Sequence, residues 1–179
     1  MALTEHEIVA LIKELFRRVS SDGKEPISPC CTDDLIYDSP YENGYLIGGK
    51  NIDLFFRELI PKFLNPLRQW PVAIYPTADG EMVPIEYESR CTAVHDGSLY
   101  ENRYAGIFKL RGDKICFWRE YYNVEWFNRA VGPGFGETWT SIMPPGGLGI
   151  KRKEDREGAH IDQWTSRFVL PEFRSGSPW

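Results

Sequence analysis

Residues 100–122 read YENRYAGIFKLRGDKICFWREYY, and this is the most informative segment of the chain. Polar and large side chains alternate with a period of two over 100–110, which predicts a strand. Arg111-Gly112-Asp113 predicts a turn into a second strand over 114–122. In the second strand both faces carry bulky residues, so the period alone places either Glu120 or Arg119 among aromatic rings. In the first strand the less charged set should face inward: Tyr100, Asn102, Tyr104, Gly106, Phe108 and Leu110.

The preceding residues extend this pattern. We expect strands over 72–77 and 82–95, and Asp96-Gly97 is the strongest hairpin signal in the sequence. In the longer strand the odd-numbered positions are the less charged and should face inward: Ile85, Tyr87, Ser89, Cys91, Ala93 and His95. The sequence therefore predicts an antiparallel meander of four strands.

The N-terminal third has a helical period instead. Thr4 and Glu7 match a capping box ahead of apolar residues at helical spacing, and a second helix is predicted from Asn51, ending or kinked at Pro61. Between them, 35–38 resembles a short strand and 39–49 a loop. Helices followed by a meander predict an α+β protein with helices on one face of a curved sheet.

The composition changes after Arg129. Residues 132–179 hold 8 of the 16 glycines, 5 of the 13 prolines and 3 of the 6 tryptophans. A segment of this length is too short to build its own core, and its aromatic rings are costly to leave in water. We expect a domain over 1–130, with 131–179 as a C-terminal extension that wraps over the domain or a partner subunit.

Composition also limits the classes of function. The net charge of −5 gives no global support to a nucleic-acid surface, and no apolar run is long enough to span a membrane. No secretory signal is visible, so we expect free thiols and a cytoplasmic protein. The cysteines and histidines match no zinc motif, and the glycines match no nucleotide-binding motif, so we expect neither metal nor cofactor. The aromatic content of 14% indicates a large core or a ligand cavity.

Residues 100–123, taken with the loop 37–40 and the helix opening 48–51, resemble the SnoaL-like polyketide cyclases. Their superfamily includes ketosteroid isomerase, limonene epoxide hydrolase and nuclear transport factor 2. The resemblance covers roughly residues 4–130. It implies a curved antiparallel sheet forming a cone around a deep pocket, a small hydrophobic molecule as ligand, and a homodimer. It does not define the activity, since the superfamily contains isomerases, cyclases, dehydratases, hydrolases and non-enzymes.

Two carboxylates are implied to be functional by this resemblance. Glu120 matches the acid or base on the last strand, which would place Glu120 rather than Arg119 in the pocket. Asp38 matches the loop position of the proton-shuttling aspartate in ketosteroid isomerases. The isomerases' oxyanion hole is absent, because its positions would fall near Glu14 or Leu15 and near Gly106. The epoxide hydrolases' dyad would fall near Arg90, but its aspartate is missing.

From these considerations we predict Glu120, Asp38 and Tyr104 as catalytic residues. Burial among rings should raise the pKa of Glu120 toward neutrality, as a general acid or base requires. The alternative for Glu120 is a structural ion pair with Arg90 or Arg103, and the alternative for Asp38 is a turn former. A tyrosine hydroxyl would polarise the substrate oxygen. The predicted substrate-binding residues are Tyr87, Ser89, Tyr100, Asn102, Trp118 and Phe56.

The main functional hypothesis is a cofactor-independent enzyme for a hydrophobic cyclic or aromatic small molecule. Its chemistry would be isomerisation, cyclisation or elimination by proton transfer, with Glu120 moving the proton. The alternatives are an epoxide hydrolase and a non-catalytic small-molecule-binding protein.

Overall fold

The computed structural model describes residues 3–41 and 44–150. The chain folds as an α+β protein, with helices against a curved, open sheet. The helices are α1 (Glu5–Val19), α2 (Gly49–Leu54), α3 (Val124–Val131) and α4 (Phe135–Ile142). The strands are β1 (Cys31–Asp38), β2 (Gly44–Ile47), β3 (Arg68–Ile74), β4 (Met82–Thr92), β5 (Leu99–Arg111), β6 (Lys114–Tyr122) and β7 (Leu148–Ile150).

Helix α1 begins at the predicted capping box. The Thr4 hydroxyl accepts from the Glu7 backbone N–H, and the Glu7 carboxylate accepts from the Thr4 backbone N–H at 2.8 Å. The apolar residues of α1 are buried, and the Phe16 ring packs on Tyr87 of the sheet with a centroid distance of 4.8 Å. Helix α1 therefore closes one side of the core.

The strand order in the sheet is β3-β4-β5-β6-β1-β2-β7. Strands β3 to β6 form the predicted meander, but β1 lies parallel to β6, so the sheet is mixed and the prediction of an all-antiparallel sheet was wrong in this respect. A long stretch of chain separates β1 from β6, and two strands need such a crossover connection to lie parallel to each other.

The faces of the central strands agree with the predicted alternation. The odd-numbered positions of β4 and the even-numbered positions of β5 from Tyr100 to Phe108 are buried, and Leu110 is half-buried. His95, which the alternation predicts to face inward, lies beyond the end of β4 and is exposed.

Lys109 of β5 pairs with Phe117 of β6 and Leu110 pairs with Ile115, so Cys116 is the extra residue of a β-bulge in β6. This bulge explains why the period of two did not decide which face of β6 points inward. Beyond it Trp118 pairs with Phe108, so Trp118 and Glu120 face the interior and Arg119 faces the other side.

Helix α2 continues as a π-helical turn over Phe55–Leu59 and a 3₁₀ turn over Ile60–Lys62. Pro61 lies in this last turn, where the sequence predicts a kink or an end. The π turn adds a residue to the helical turn, and the consecutive residues Phe55 and Phe56 are both buried.

The compact unit ends at Gly149, so residues 132–149 belong to the domain rather than to the predicted extension. The wrapping predicted for residues 151–179 concerns a segment outside the described residues. In the described part, no helix combines the length and apolar character needed to cross a membrane. The homodimer and the cytoplasmic location stay predictions.

Candidate active site

Glu120 is a buried carboxylate held by two tyrosines. It lies on β6 and only 3% of it is exposed. The Tyr37 hydroxyl, on β1, donates to Oε2 at 2.6 Å, and the Tyr87 hydroxyl, on β4, donates to Oε1. The parallel pairing of β1 with β6 brings Tyr37 to this point, since Tyr37 pairs with Trp118, two residues before Glu120.

Gly106 makes this arrangement possible. It lies on β5 between Ile85 of β4 and Glu120 of β6. A Cβ atom at this position would lie 2.9 Å from Cε1 of Tyr87, a distance at which the ring would have to move. The missing side chain lets the Tyr87 ring cross the strand and reach the carboxylate.

The surroundings of Glu120 raise its pKa from 4.5 to about 7. The main cause is burial, which penalises the charged form, and the two tyrosine hydrogen bonds act in the opposite direction. Burial also raises the pKa of Tyr37 and of Tyr87 well above the ordinary value, so both remain donors. Near pH 7 Glu120 is therefore suited both to accept and to release a proton.

Glu120 and Tyr104 line a cavity of about 40 Å³. This is well below the roughly 300–1,000 Å³ of pockets for drug-sized ligands, so the cavity suits a small one. Leu64 and Leu67 add aliphatic surface, and Ser39 and Gln69 add polar groups. Most of the remaining wall consists of aromatic rings: Tyr37, Phe55, Phe56, Tyr122, Phe127 and Trp139.

A chain of hydrogen bonds orients the Tyr104 hydroxyl. Asn102 Nδ2 donates to the Tyr100 hydroxyl at 2.8 Å and to the backbone oxygen of Asn123 at 3.0 Å. Because the Tyr100 oxygen accepts from Asn102, its own proton is best satisfied by donation to Tyr104, 2.9 Å away. The Tyr104 proton then remains for Ser89, at 3.1 Å, or for a ligand oxygen in the cavity.

Asp38 does not lie beside Glu120. It pairs with Arg119 across β1 and β6, on the face opposite to Tyr37 and Glu120. Nε and Nη2 of Arg119 both donate to Oδ2 of Asp38 at 2.8 Å. The structure thus places the predicted second carboxylate in an ion pair behind the sheet rather than in the cavity wall.

The ion-pair alternative for Glu120 does not occur in the described part of the chain. Arg90 pairs with Glu101, and Arg103 pairs with Glu88. All four side chains are more than one-third exposed and lie away from the cavity. Arg90, the position matched to the epoxide hydrolase dyad, is therefore not part of the cavity wall.

Three predicted site residues line the cavity: Glu120, Tyr104 and Phe56. The other predicted binding residues lie behind this wall, where they support it: Tyr87, Ser89, Tyr100, Asn102 and Trp118. Trp118, for example, is fully buried and stacks on the Phe56 ring at 5.6 Å. Among the wall residues that sequence reasoning missed, Tyr37 had a usable signal, because Leu35 and Tyr37 share one face of a strand. For Gln69 and Trp139 the pattern carries no such signal.

Across residues 3–41 and 44–150, no group of three or more His, Cys, Asp or Glu side chains is placed to hold a metal ion.

No protein-family model matches this sequence, and no curated protein matches it. Solved structures do match. A provisionally assigned isomerase from Bacillus subtilis has a TM-score of 0.63 and 18% identity, covering 73% of this chain and 96% of that chain. PrhC from Penicillium brasilianum has a TM-score of 0.64 and 13% identity, covering 78% of this chain and 98% of that chain. A provisionally assigned SnoaL-like polyketide cyclase from Jannaschia sp. CCS1 has a TM-score of 0.59 and 12% identity, covering 74% and 98%.

These likenesses define the fold. The chain has the fold shared by SnoaL-like polyketide cyclases, ketosteroid isomerase-like proteins and nuclear transport factor 2-like proteins, as the sequence predicted. At identities this low the fold carries no activity with it, so function has to be argued from the site.

Proposed function

We propose that this protein is a cofactor-independent acid/base enzyme that acts on a small hydrophobic cyclic or aromatic molecule. Its reaction is an isomerisation, cyclisation or elimination that proceeds by proton transfer. The observation that carries the proposal is Glu120, a buried carboxylate in the wall of an aromatic cavity, with a pKa of about 7. The isomerase and cyclase names of the structural neighbours agree with this chemistry.

The proposed steps use groups already in place. Ionised Glu120 removes a proton from a carbon next to a substrate carbonyl, and the negative charge moves to the carbonyl oxygen. Tyr104 donates a hydrogen bond to this oxygen, which stabilises the charge in a cavity with little water. Glu120 then returns the proton to another carbon, or to a leaving oxygen in an elimination. Tyr37 and Tyr87 hold the carboxylate in position throughout.

A simple ketone tests this chemistry. Moving the double bond of 3-cyclohexenone into conjugation needs one proton removed at C2 and one added at C4, and the product absorbs in the ultraviolet. We expect the protein to accelerate this reaction over buffer, with kcat/KM rising with pH to a plateau above about pH 7 because the ionised carboxylate is the base. Glu120→Gln should lower the rate about 100-fold or more.

A matched control is Glu101→Gln, which changes an exposed carboxylate away from the cavity and should leave the rate unchanged. Turnover that survives Glu120→Gln contradicts the assignment of the base. A wild-type protein that binds the ketone without accelerating its isomerisation favours the non-catalytic binding alternative. Incorporation of solvent oxygen-18 into the product of an epoxide substrate would favour the hydrolase.

A further inference from the structure

Gln69 brings an unsatisfied polar group into the cavity. It lies on the edge strand β3, where two hydrogen bonds with Ser20 fix its backbone. The Gln69 backbone N–H donates to the Ser20 hydroxyl at 2.9 Å, and the Ser20 hydroxyl donates to the Gln69 carbonyl at 3.0 Å. Only 8% of the residue is exposed, and it lines the cavity. Its side-chain oxygen Oε1 is fully buried and has no hydrogen-bond partner in the described part of the chain.

Trp139 repeats this observation from another element. It lies on α4, where its ring packs against Phe55 at 5.2 Å and Phe135 at 5.7 Å. It also lines the cavity, and its Nε1 is buried without a hydrogen-bond partner among residues 3–41 and 44–150. The wall of the same cavity thus contains an unpaired amide oxygen and an unpaired indole N–H, from two separate elements.

Buried polar groups without partners are rare in folded proteins, because removing them from water costs free energy that no hydrogen bond returns. Apolar residues of similar size would fill both positions without this cost. Where such groups line a cavity, the missing partner is supplied by water or by a ligand that displaces it.

The position of Gln69 separates it from the reacting centre. Glu120 is on β6 and Gln69 on β3, three strands away in the sheet order, and neighbouring strands are about 4.8 Å apart. Among the described wall residues Glu120 is the only Asp, Glu, Lys, Arg or His. A charged group on the ligand at a distance from Glu120 would therefore be buried without an ionic partner.

We propose that Gln69 and Trp139 bind an uncharged polar group of the substrate, a hydroxyl or a carbonyl, remote from the atom that exchanges a proton with Glu120. A hydroxyl suits the pair well, since it can donate to Gln69 Oε1 and accept from Trp139 Nε1. The substrate class is then a small ring with two oxygen functions, one at the reacting carbon and one distant from it. This proposal rests on the proposed function, because it describes the substrate on which Glu120 acts.

The test compares cyclohexanone with 2-, 3- and 4-hydroxycyclohexanone, whose second oxygen lies at increasing distances from the carbonyl. Binding is measured by calorimetry to the wild type, Gln69→Met and Trp139→Phe. We expect at least one hydroxyketone to bind the wild type about 10-fold more tightly than cyclohexanone, equivalent to about 1.4 kcal/mol. Gln69→Met should remove this preference without weakening the binding of cyclohexanone, and Trp139→Phe should reduce it.

A second measurement separates ligand binding from a structural role. Methionine has about the volume of glutamine and no amide, so Gln69→Met should leave the ligand-free protein as stable as the wild type, or more stable, in urea unfolding. A destabilised Gln69→Met would mean that the amide serves the fold. The proposal is also overturned if the wild type prefers none of the hydroxyketones, or if none of the four ketones binds. It is overturned as well if Gln69→Met keeps the preference.

The two proposals fail in different ways. A wild type that prefers a hydroxyketone but does not isomerise 3-cyclohexenone, or a Glu120→Gln variant that still isomerises it, contradicts only the role of Glu120. Isomerisation that proceeds normally in a protein without the preference contradicts only the role of Gln69 and Trp139.

Discussion

The Glu120→Gln variant should be more stable relative to the wild type at pH 8 than at pH 4. The quantity compared is the difference in unfolding free energy between variant and wild type at each pH. In the unfolded chain the carboxyl has its ordinary pKa of 4.5, whereas burial raises the folded-state pKa to about 7. Between these values the folded protein holds a proton that the unfolded chain has released. Wild-type stability therefore falls as pH rises through this window, and glutamine removes this contribution.

The size of the effect follows from the two pKa values. They differ by about 2.5, and each pKa unit corresponds to about 1.36 kcal/mol, so ionising Glu120 costs the folded state about 3 kcal/mol at pH 8. The free energy of unfolding of both proteins is measured in urea at pH 4, 5, 6, 7 and 8. The difference between Glu120→Gln and wild type should grow in favour of the variant from pH 4.5 to about pH 7 and then level off.

Glu14→Gln is a matched control with the opposite sign. A hydrogen bond from Arg17 lowers the pKa of Glu14 to about 2, so the stability it contributes is present above pH 4.5 and is lost only at more acidic pH. Its difference from wild type should be flat between pH 6 and pH 8. A Glu120→Gln difference that is equally flat over pH 4 to 8 would refute the argument that burial controls this carboxyl.

Three further predictions concern groups around this carboxyl and the helix start. Tyr37→Phe removes a donor to ionised Glu120 and should raise the pKa of Glu120 above about 7, measured by carbon-13 NMR of the carboxyl; an unchanged or lower pKa would count against that hydrogen bond. Asp38→Asn should destabilise the protein by about 1–3 kcal/mol in urea, because Arg119 loses its ionic partner, and should not move the Glu120 pKa; a shift as large as that of Tyr37→Phe would place Asp38 in the site after all. Thr4→Ala should cost about 1 kcal/mol of unfolding free energy, and no loss would show that α1 does not need its cap.

Local patterns were enough to predict the meander and its inner face. The alternation in β4 and β5 placed Tyr87 and Tyr104 inward, and the structure confirms both. These assignments depend only on a period of two and on the turns between neighbouring strands, which are local properties of the sequence. The position of Glu120 needed the resemblance, since both faces of β6 carry bulky side chains.

Contacts between distant segments were not predictable in this way. Tyr37 and Glu120 are 83 residues apart, and they meet only because β1 adds in parallel to the last strand of the meander. The resemblance predicted Asp38 as the functional residue of β1, although the alternation from Leu35 favours Tyr37 on the inner face. Trp139 lies in a segment whose composition suggested an extension, and only its packing on Phe55 shows that it belongs to the cavity.

The π turn over Phe55–Leu59 has a consequence for how the specificity of this protein could change. An extra residue in a helical turn can be removed by a single deletion, which restores regular hydrogen bonding and rotates everything on one side of it by about 100°. In this chain such a deletion would change how the rings of Phe55 and Phe56 face the cavity. The strands that hold Glu120 and Tyr87 would remain as they are. The loss of one codon would therefore change which ligand the cavity accepts without disturbing the acid that acts on it.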